Sequence, residues 1–299
     1  MDKPERIAAS QPEEDIDSIF DEKVKPSLQG RKPTGRKPRV IFLAGQPASL
    51  KSTTERDLKR SAEYQDAVII DGDKWRVHHP SHTPWNITDD TSAASKEQPV
   101  IGAWVDRAVR YVAECGFDAI VSATLKDPAQ AAKKIKPFAA HNYEIVVAFT
   151  AVHGAYSKLS VILRYINDKA QTGFGRYVPA TVHDQAYSGV LDTARTLDDG
   201  IDVDLEVRVY RRERGLTKLV YDDTIRDSHW RKGGHHVAVW RAIQEQQEIH
   251  WNDSLGDFRS CATRVMQAQG TLSEDLQKHT KESFADLATK YQSICLGLH

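Results

Sequence analysis

The sequence predicts an α/β fold in which a parallel sheet is flanked by helices and followed by a helical C-terminal extension. Three observations carry this. Val40-Ile41-Phe42-Leu43-Ala44 is a short apolar strand that runs into a tight loop and then a polar helix opening at Lys51-Ser52-Thr53. Buried-type strands recur at 67–71, 117–124 and 144–150 with helical stretches between them, the rhythm of parallel strands joined by right-handed crossovers. Asp71 and Asp73 stand at the carboxyl end of the second strand, where open α/β sheets put their ligands.

In chain order, residues 1–14 are polar and contain Pro4 and Pro12, the composition of a frayed tail. A short helix is expected over 15–25, with Ile16, Ile19, Phe20 and Val24 at helical spacing. Residues 30–38 are rich in Gly, Pro and basic side chains but lack interleaved aromatics, so they read as a solvated linker. These parts make an N-terminal segment, 1–38, ahead of an α/β body, 39–225.

Within the body, helices are expected at 52–64, 99–114, 128–140 and 155–170. The second carries the apolar stripe Val100, Trp104, Val105 and Ala108, continued by Tyr111 or Val112, and stops at Gly116. Gly173-Phe174-Gly175-Arg176-Tyr177-Val178-Pro179 reads as a mobile loop. The alternation over 203–210, a turn at 213–215 and the run 216–221 read as a hairpin or sheet edge. The extension, 226–299, is expected to be helical from about 235. One segment runs to 269 with Val239, Ile243 and Ile249 on its apolar side. After Gly270 a second opens with a Thr271-x-x-Glu274 capping box and carries Leu276, Phe284, Leu287 and Tyr291.

Composition narrows the function. The chain of 299 residues has a formal net charge of −1, so no global basic field recruits nucleic acid or an anionic membrane. No apolar run approaches the ~20 residues that span a bilayer, and the first residues lack a signal-peptide core. Cys115, Cys261 and Cys295 are odd in number and widely spaced, which suits reduced thiols in the cytoplasm. His229, His235 and His236 lack acidic or cysteine partners at ligand spacing and read as solvated or capping.

The loop after the first strand has the shape of a phosphate-binding P-loop, G-x-x-x-x-G-K-[ST], which places the fold with the P-loop NTPases and kinases. Gly45, Lys51 and Ser52 occupy the signature positions, and Leu50 stands where the second glycine belongs. Backbone N–H groups across Gly45, Gln46, Pro47, Ala48, Ser49, Leu50, Lys51, Ser52 and Thr53 (Pro47 excepted), with the positive end of the next helix, would cradle phosphate. Lys51 would reach the β/γ-phosphates of ATP, and Ser52 would set its hydroxyl on Mg²⁺. Leu50 restricts φ where glycine is free, so a looser grip or a shifted loop path is expected. Asp71 or Asp73 can accept a proton from an attacking hydroxyl, hold Mg²⁺, or simply cap the following turn. Arg164 and Arg176 are candidates to neutralise a phosphoryl group in flight.

With these motifs in order, the chain resembles the zeta toxins, P-loop kinases that phosphorylate UDP-N-acetylglucosamine. Gly45-Gln46-Pro47 followed by Lys51-Ser52 is similar to the family's G-Q-P-G-S-G-K-[ST] loop. Asp71-Gly72-Asp73-Lys74-Trp75-Arg76 with His79-Pro80 is similar to its D-x-D-x-[FW]-[RK]…H-P stretch, and Leu163-Arg164-Tyr165 and 173–179 with His183-Asp184 to its paired arginine segments. The resemblance implies Asp73 as base for the sugar hydroxyl and Arg164 and Arg176 on the ATP phosphates. It implies Arg76, Glu97 and Thr124 on the substrate side, and a small helical antitoxin that blocks the nucleotide site. Ala48 and Leu50 replace two loop glycines, and Ser122-Ala123 replace the Glu-Gly of the family's E-G-T. These departures leave open a kinase of another acceptor (a different nucleotide sugar, a dinucleotide, an antibiotic) or a nucleotide binder without activity.

Overall fold

The computed structural model describes residues 13–199, 203–213, 216–224, 231–232, 235–236 and 238–268. The expectations for residues 1–12, the turn at 214–215, His229, Gly270 and the capping-box helix with Leu276, Phe284, Leu287 and Tyr291 lie outside the described residues.

Six strands form one sheet: β1 (Arg39–Ala44), β2 (Val68–Asp71), β3 (Ala119–Ser122), β4 (Glu144–Ala151), β5 (Glu206–Glu213) and β6 (Leu216–Thr224), in the order β2-β3-β1-β4-β5-β6. The first five run parallel and β6 closes the edge antiparallel, as the hairpin reading requires. β1 lies between β3 and β4, pairing Val40 with both Ala119 and Ile145. Alternation along β1 sends Val40, Phe42 and Ala44 to one face and Ile41 and Leu43 to the other. Both faces are covered, which is why this strand reads as an unbroken apolar run.

The first face is covered by α4 (His82–Cys115), α5 (Pro128–Ala140), α7 (Ala180–Asp199) and α8 (Val239–Asp253). The short α1 (Glu13–Ile19) joins them: Trp104 is fully buried and its indole N–H donates to the Ile16 carbonyl at 3.1 Å. Against the second face lies α2 (Lys51–Arg60), through Leu58 and the following Tyr64. A separate apolar cluster joins α6 (Gly154–Thr172) to α8 and α9 (Leu255–Ala268) through Leu159, Trp251, Phe258 and Val265.

Three differences from the sequence reading have physical causes. The helix expected at 99 begins at His82, with non-helical backbone at Asp89 and Pro99 inside it. Its first half has no apolar stripe and is held by polar tertiary contacts that periodicity does not register. The tail segment is two helices, broken at Ser254, whose N–H bonds back to His250 at 2.9 Å. The basic linker is tied down: Arg36 donates at 3.0 Å to Asp118, a buried carboxylate that also accepts the Arg39 N–H at 2.8 Å. No described helix is long and apolar enough to cross a membrane.

Candidate active site

The carboxyl ends of β1, β2, β3 and β4 meet at one rim, and the sequence-derived residues converge there. The Gly45 N–H donates to the Thr124 carbonyl at 3.2 Å, so the loop and the segment after β3 touch. A side chain at Gly45 has no room: a Cβ would lie 2.2 Å from Thr150 Oγ1. Thr150 instead bonds Ser49 Oγ at 2.7 Å and the Ala44 carbonyl at 3.1 Å, tying the loop to β4. Gln46 is buried, and its amide donates to the Val152 carbonyl at 2.7 Å and to Ser157 Oγ at 3.1 Å.

Leu50 replaces a glycine without the loss of conformation that the sequence suggests. Its φ is 73° and that of Ala48 is 58°, so both adopt the left-handed backbone that glycine would supply. Each costs about 1–2 kcal/mol. Leu50 offsets this by packing against the α6–α8–α9 cluster, and its carbonyl still accepts from Thr54 N–H at 3.0 Å. Lys51 and Ser52 therefore open α2 as a phosphate loop requires.

Lys51 Nζ donates to the Gly45 and Gln46 carbonyls at 2.7 and 2.8 Å. Its pKa is lowered to about 7, first by burial and then by the Arg164 and Arg176 guanidiniums, against which Asp71 acts in the opposite sense. Arg164, on α6, has Nε and Nη2 shut off from solvent without a hydrogen-bond partner, and Arg176 has its Nε in the same state. Burial lowers the pKa of both arginines. Three basic side chains thus crowd one spot.

Asp71 caps the one-turn helix α3 (Gly72–Trp75) that follows β2, accepting the Asp73 N–H at 3.0 Å. Burial and Glu55 raise its pKa, while Lys74, Arg176 and Lys51 pull it down. Asp73 is half exposed and accepts from Arg176 through one carboxylate oxygen and from Arg76 Nε, at 3.1 Å, through the other. Arg76 is buried and engaged through all three of its nitrogens. It donates to Glu97 and the Ala94 carbonyl at 3.0 Å each and to Gln98 at 2.7 Å. Glu97, also buried, takes His82 Nδ1 at 2.7 Å on its other oxygen. Arg76 is thereby a bracket between the two carboxylates. Glu97 and Thr124 lie on the same β2–β3 side of the loop as Asp73.

Sequence reasoning missed two supports. Asp90, buried at the kink of α4, accepts Tyr165 Oη at 2.9 Å, Lys169 Nζ at 2.9 Å and the Gly175 N–H at 3.1 Å, fixing the segment that carries Arg176. Gly175 must be small there, since a Cβ would stand 2.6 Å from the Tyr165 carbonyl. The second is Ser157, which links two motif members in a buried chain, from Gln46 at 3.1 Å to His183 Nε2 at 2.9 Å and on to Asp184 at 3.1 Å. His183 lies in α7, whose stripe of Ala186, Val190, Ala194 and Leu197 at helical spacing was a readable signal for the helix. Asp90, inside a polar run, gave none.

The oxygen donors here suit a hard divalent cation. Ser52 Oγ, exposed at the first turn of α2, and the Asp71 carboxylate would be the groups to hold Mg²⁺.

The chain is similar to known proteins in sequence and in fold. Toxin PezT of Streptococcus pneumoniae serotype 4 (strain ATCC BAA-334 / TIGR4) is 25% identical over 201 residues, 66% of this chain and 76% of that protein. A structure from the PezAT chromosomal toxin–antitoxin system of Streptococcus pneumoniae superposes with a TM-score of 0.68 at 20% identity, covering 86% of this chain and 98% of that one. The AvrRxo1-ORF1:-ORF2 complex with ATP gives 0.56 at 12% identity, covering 89% and 88%. The sequence profile described as Zeta toxin matches residues 25–225, well over half of the chain, and the chain is therefore a member of the zeta toxin family.

Proposed function

We propose that this protein is an ATP-dependent kinase that transfers the γ-phosphoryl group to a hydroxyl of a nucleotide sugar, UDP-N-acetylglucosamine being the acceptor the family implies. The observation that carries the reading is the convergence of Lys51, Arg164 and Arg176, with buried N–H groups unpartnered and a lysine amine depressed to about 7. Such a cluster is stabilised by a polyanion. The similarity to a toxin, and to a chain from a chromosomal toxin–antitoxin system, supports toxicity held in check by an antitoxin. With the acceptor named above, that toxicity would drain a cell-wall precursor, and a small helical antitoxin would cover the nucleotide site.

In the reaction, the loop amides and Lys51 hold the β- and γ-phosphates. Asp73, released from Arg176, takes the proton of the acceptor hydroxyl as its oxygen bonds the γ-phosphorus. The bond from that phosphorus to the β-bridging oxygen breaks, and ADP leaves. Arg164 and Arg176 neutralise charge on the transferring group, a role worth about 10³–10⁵ in rate. Mg²⁺, held by Ser52 with Asp71, would supply further charge neutralisation at the phosphates.

A second reading changes only the acceptor. Ser122-Ala123 replace the family's Glu-Gly, and both oxygens of Glu97 are engaged by Arg76 and His82. The test is purified protein with ATP, Mg²⁺ and UDP-N-acetylglucosamine, products read by mass spectrometry, with Asp73→Ala as control. A phosphorylated sugar nucleotide absent from the variant is the expected result. No product with ATP still bound moves the choice to another acceptor, and then to a binder without activity.

A further inference from the structure

We propose that Glu55 is a further oxygen ligand for the divalent cation at Ser52 and Asp71, and that the Lys74 ammonium competes with the cation for it. The inference rests on the kinase reading and adds to it two residues that the motifs leave unspecified. Glu55 lies three residues past the end of the G-x-x-x-x-G-K-[ST] loop, and Lys74 fills an x position of D-x-D-x-[FW].

Helical spacing places Glu55. α2 opens at Lys51-Ser52, and side chains three apart are neighbours on one face, so Glu55 follows Ser52 along the helix. Ser52 is exposed, whereas the Glu55 side chain is only 9% exposed. From β2 comes Asp71. After burial, the Glu55 charge is the largest cause of the raised Asp71 pKa, and Lys74 is next in the opposite sense. The three groups therefore lie within one another's field.

The two oxygens of Glu55 differ. Oε1 accepts from Lys74 Nζ at 2.6 Å, while Oε2 is shut off from solvent and accepts no hydrogen bond. A buried carboxylate oxygen without a donor is costly, so the site favours more positive charge than one ammonium at its edge supplies. Hard divalent cations take carboxylate and hydroxyl oxygens, and Ser52, Asp71 and Glu55 offer three such groups from two elements. Lys74 is half exposed and free to turn to solvent, whereas Glu55 is held in α2. Two carboxylates match a divalent charge without any phosphate. The cation is thus expected to bind ahead of the nucleotide, displacing the ammonium.

The test is Mn²⁺ binding without nucleotide, read from the free-ion signal in electron paramagnetic resonance. Wild type is compared with Glu55→Gln, Lys74→Met and the double variant. Glutamine keeps the volume and an oxygen for Lys74 while removing the charge. Expected are a loss of about tenfold or more in Glu55→Gln, and a gain of about threefold or more in Lys74→Met that disappears in the double variant. Mn²⁺ affinity unchanged by Glu55→Gln overturns the proposal. An equal gain from Lys74→Met in both backgrounds also overturns it, since Lys74 would then act as a distant charge and not as a competitor for Glu55. Iron-mediated cleavage of wild type, with Fe²⁺ as the probe, needs no variant. Cuts at 52–55 and 71–74 support the site, and cuts confined to other segments sink it. Equal ATP affinity in wild type and Lys51→Met overturns the kinase reading itself, and the proposal falls with it.

Discussion

Arg176 donates to the carboxylate of Asp73 across 103 residues of sequence, so the proposed base and the proposed transition-state cation neutralise each other. Neither can do its chemistry in that contact. A nucleotide resolves it, since the γ-phosphate competes for Arg176 and frees the carboxylate for the acceptor hydroxyl. The ion pair is thus a resting arrangement that substrate must break.

Two single substitutions test this. Asp73→Ala is expected to abolish transfer, by about 10³-fold or more, while the melting temperature stays within a few degrees, because Asp73 is half exposed and surface pairs contribute little. Arg176→Ala should lower kcat by about 10³-fold yet leave ATP binding nearer to wild type, having also removed the competing pair. Equal activity in Asp73→Ala and wild type would take Asp73 out of the mechanism.

Asp90 makes a different prediction, because its contribution is structural and reaches the site through Arg176. Asp90→Ala strips acceptors from the Tyr165 hydroxyl, the Lys169 ammonium and the Gly175 N–H at once. Breaking a buried charged cluster costs about 3 kcal/mol, or roughly 5–10 °C in melting temperature. The kinetic signature is non-additivity: Arg176→Ala should cost much less in the Asp90→Ala background than in wild type. Full additivity would show that Asp90 does not position the arginine segment.

What the sequence made legible, and what it hid, divides along the same lines. β1, β4 and the loop at 45–53 were readable because a strand buried on both faces and a phosphate loop leave local signatures. Asp73, Arg164 and Arg176 were readable as motif members, and the structure brings all three to one rim. Hidden were contacts whose information is distributed: Asp90 meets Gly175 across 85 residues, and Gln46 meets Ser157 across 111. The first half of α4 was hidden for a related reason, its polar face turning inward onto Arg76 and Tyr165 in place of an apolar stripe. Leu50 misled in the opposite direction, since its φ of 73° preserves the backbone that its side chain seemed to forbid.

That φ leads to a prediction about the degenerate loop. Leu50→Gly relieves about 1–2 kcal/mol of left-handed strain, loses about 1–2 kcal/mol of partial burial against the α6–α9 cluster, and adds unfolded-chain entropy of about 0.5–1 kcal/mol. The terms nearly cancel, so the melting temperature should move by less than about 4 °C. The N–H cradle is the same in both, and ATP affinity should change less than about threefold, some 0.6 kcal/mol. Tenfold tighter binding in the variant would show that Leu50 does distort the phosphate path.

Lys51 makes phosphate binding a proton-coupled event. Its amine falls from 10.5 to about 7 on folding, through burial and the two guanidiniums. Between pH 7 and 10.5 the unfolded chain holds more protons at this position than the folded one, so this residue's contribution to stability rises with pH across that window. Bound phosphate reverses the balance by favouring the ammonium. Binding of ATP with Mg²⁺ at pH 8 should therefore take up close to one proton, read from calorimetry in buffers of different ionisation enthalpy, and affinity should weaken as pH climbs above 7. At pH 6 the amine is already charged and the uptake should vanish. Lys51→Met should abolish the pH 8 uptake. Identical proton counts for the variant and wild type at pH 8 would mean that the lysine is charged before the nucleotide arrives, and that the carbonyls of Gly45 and Gln46 stabilise it against both arginines.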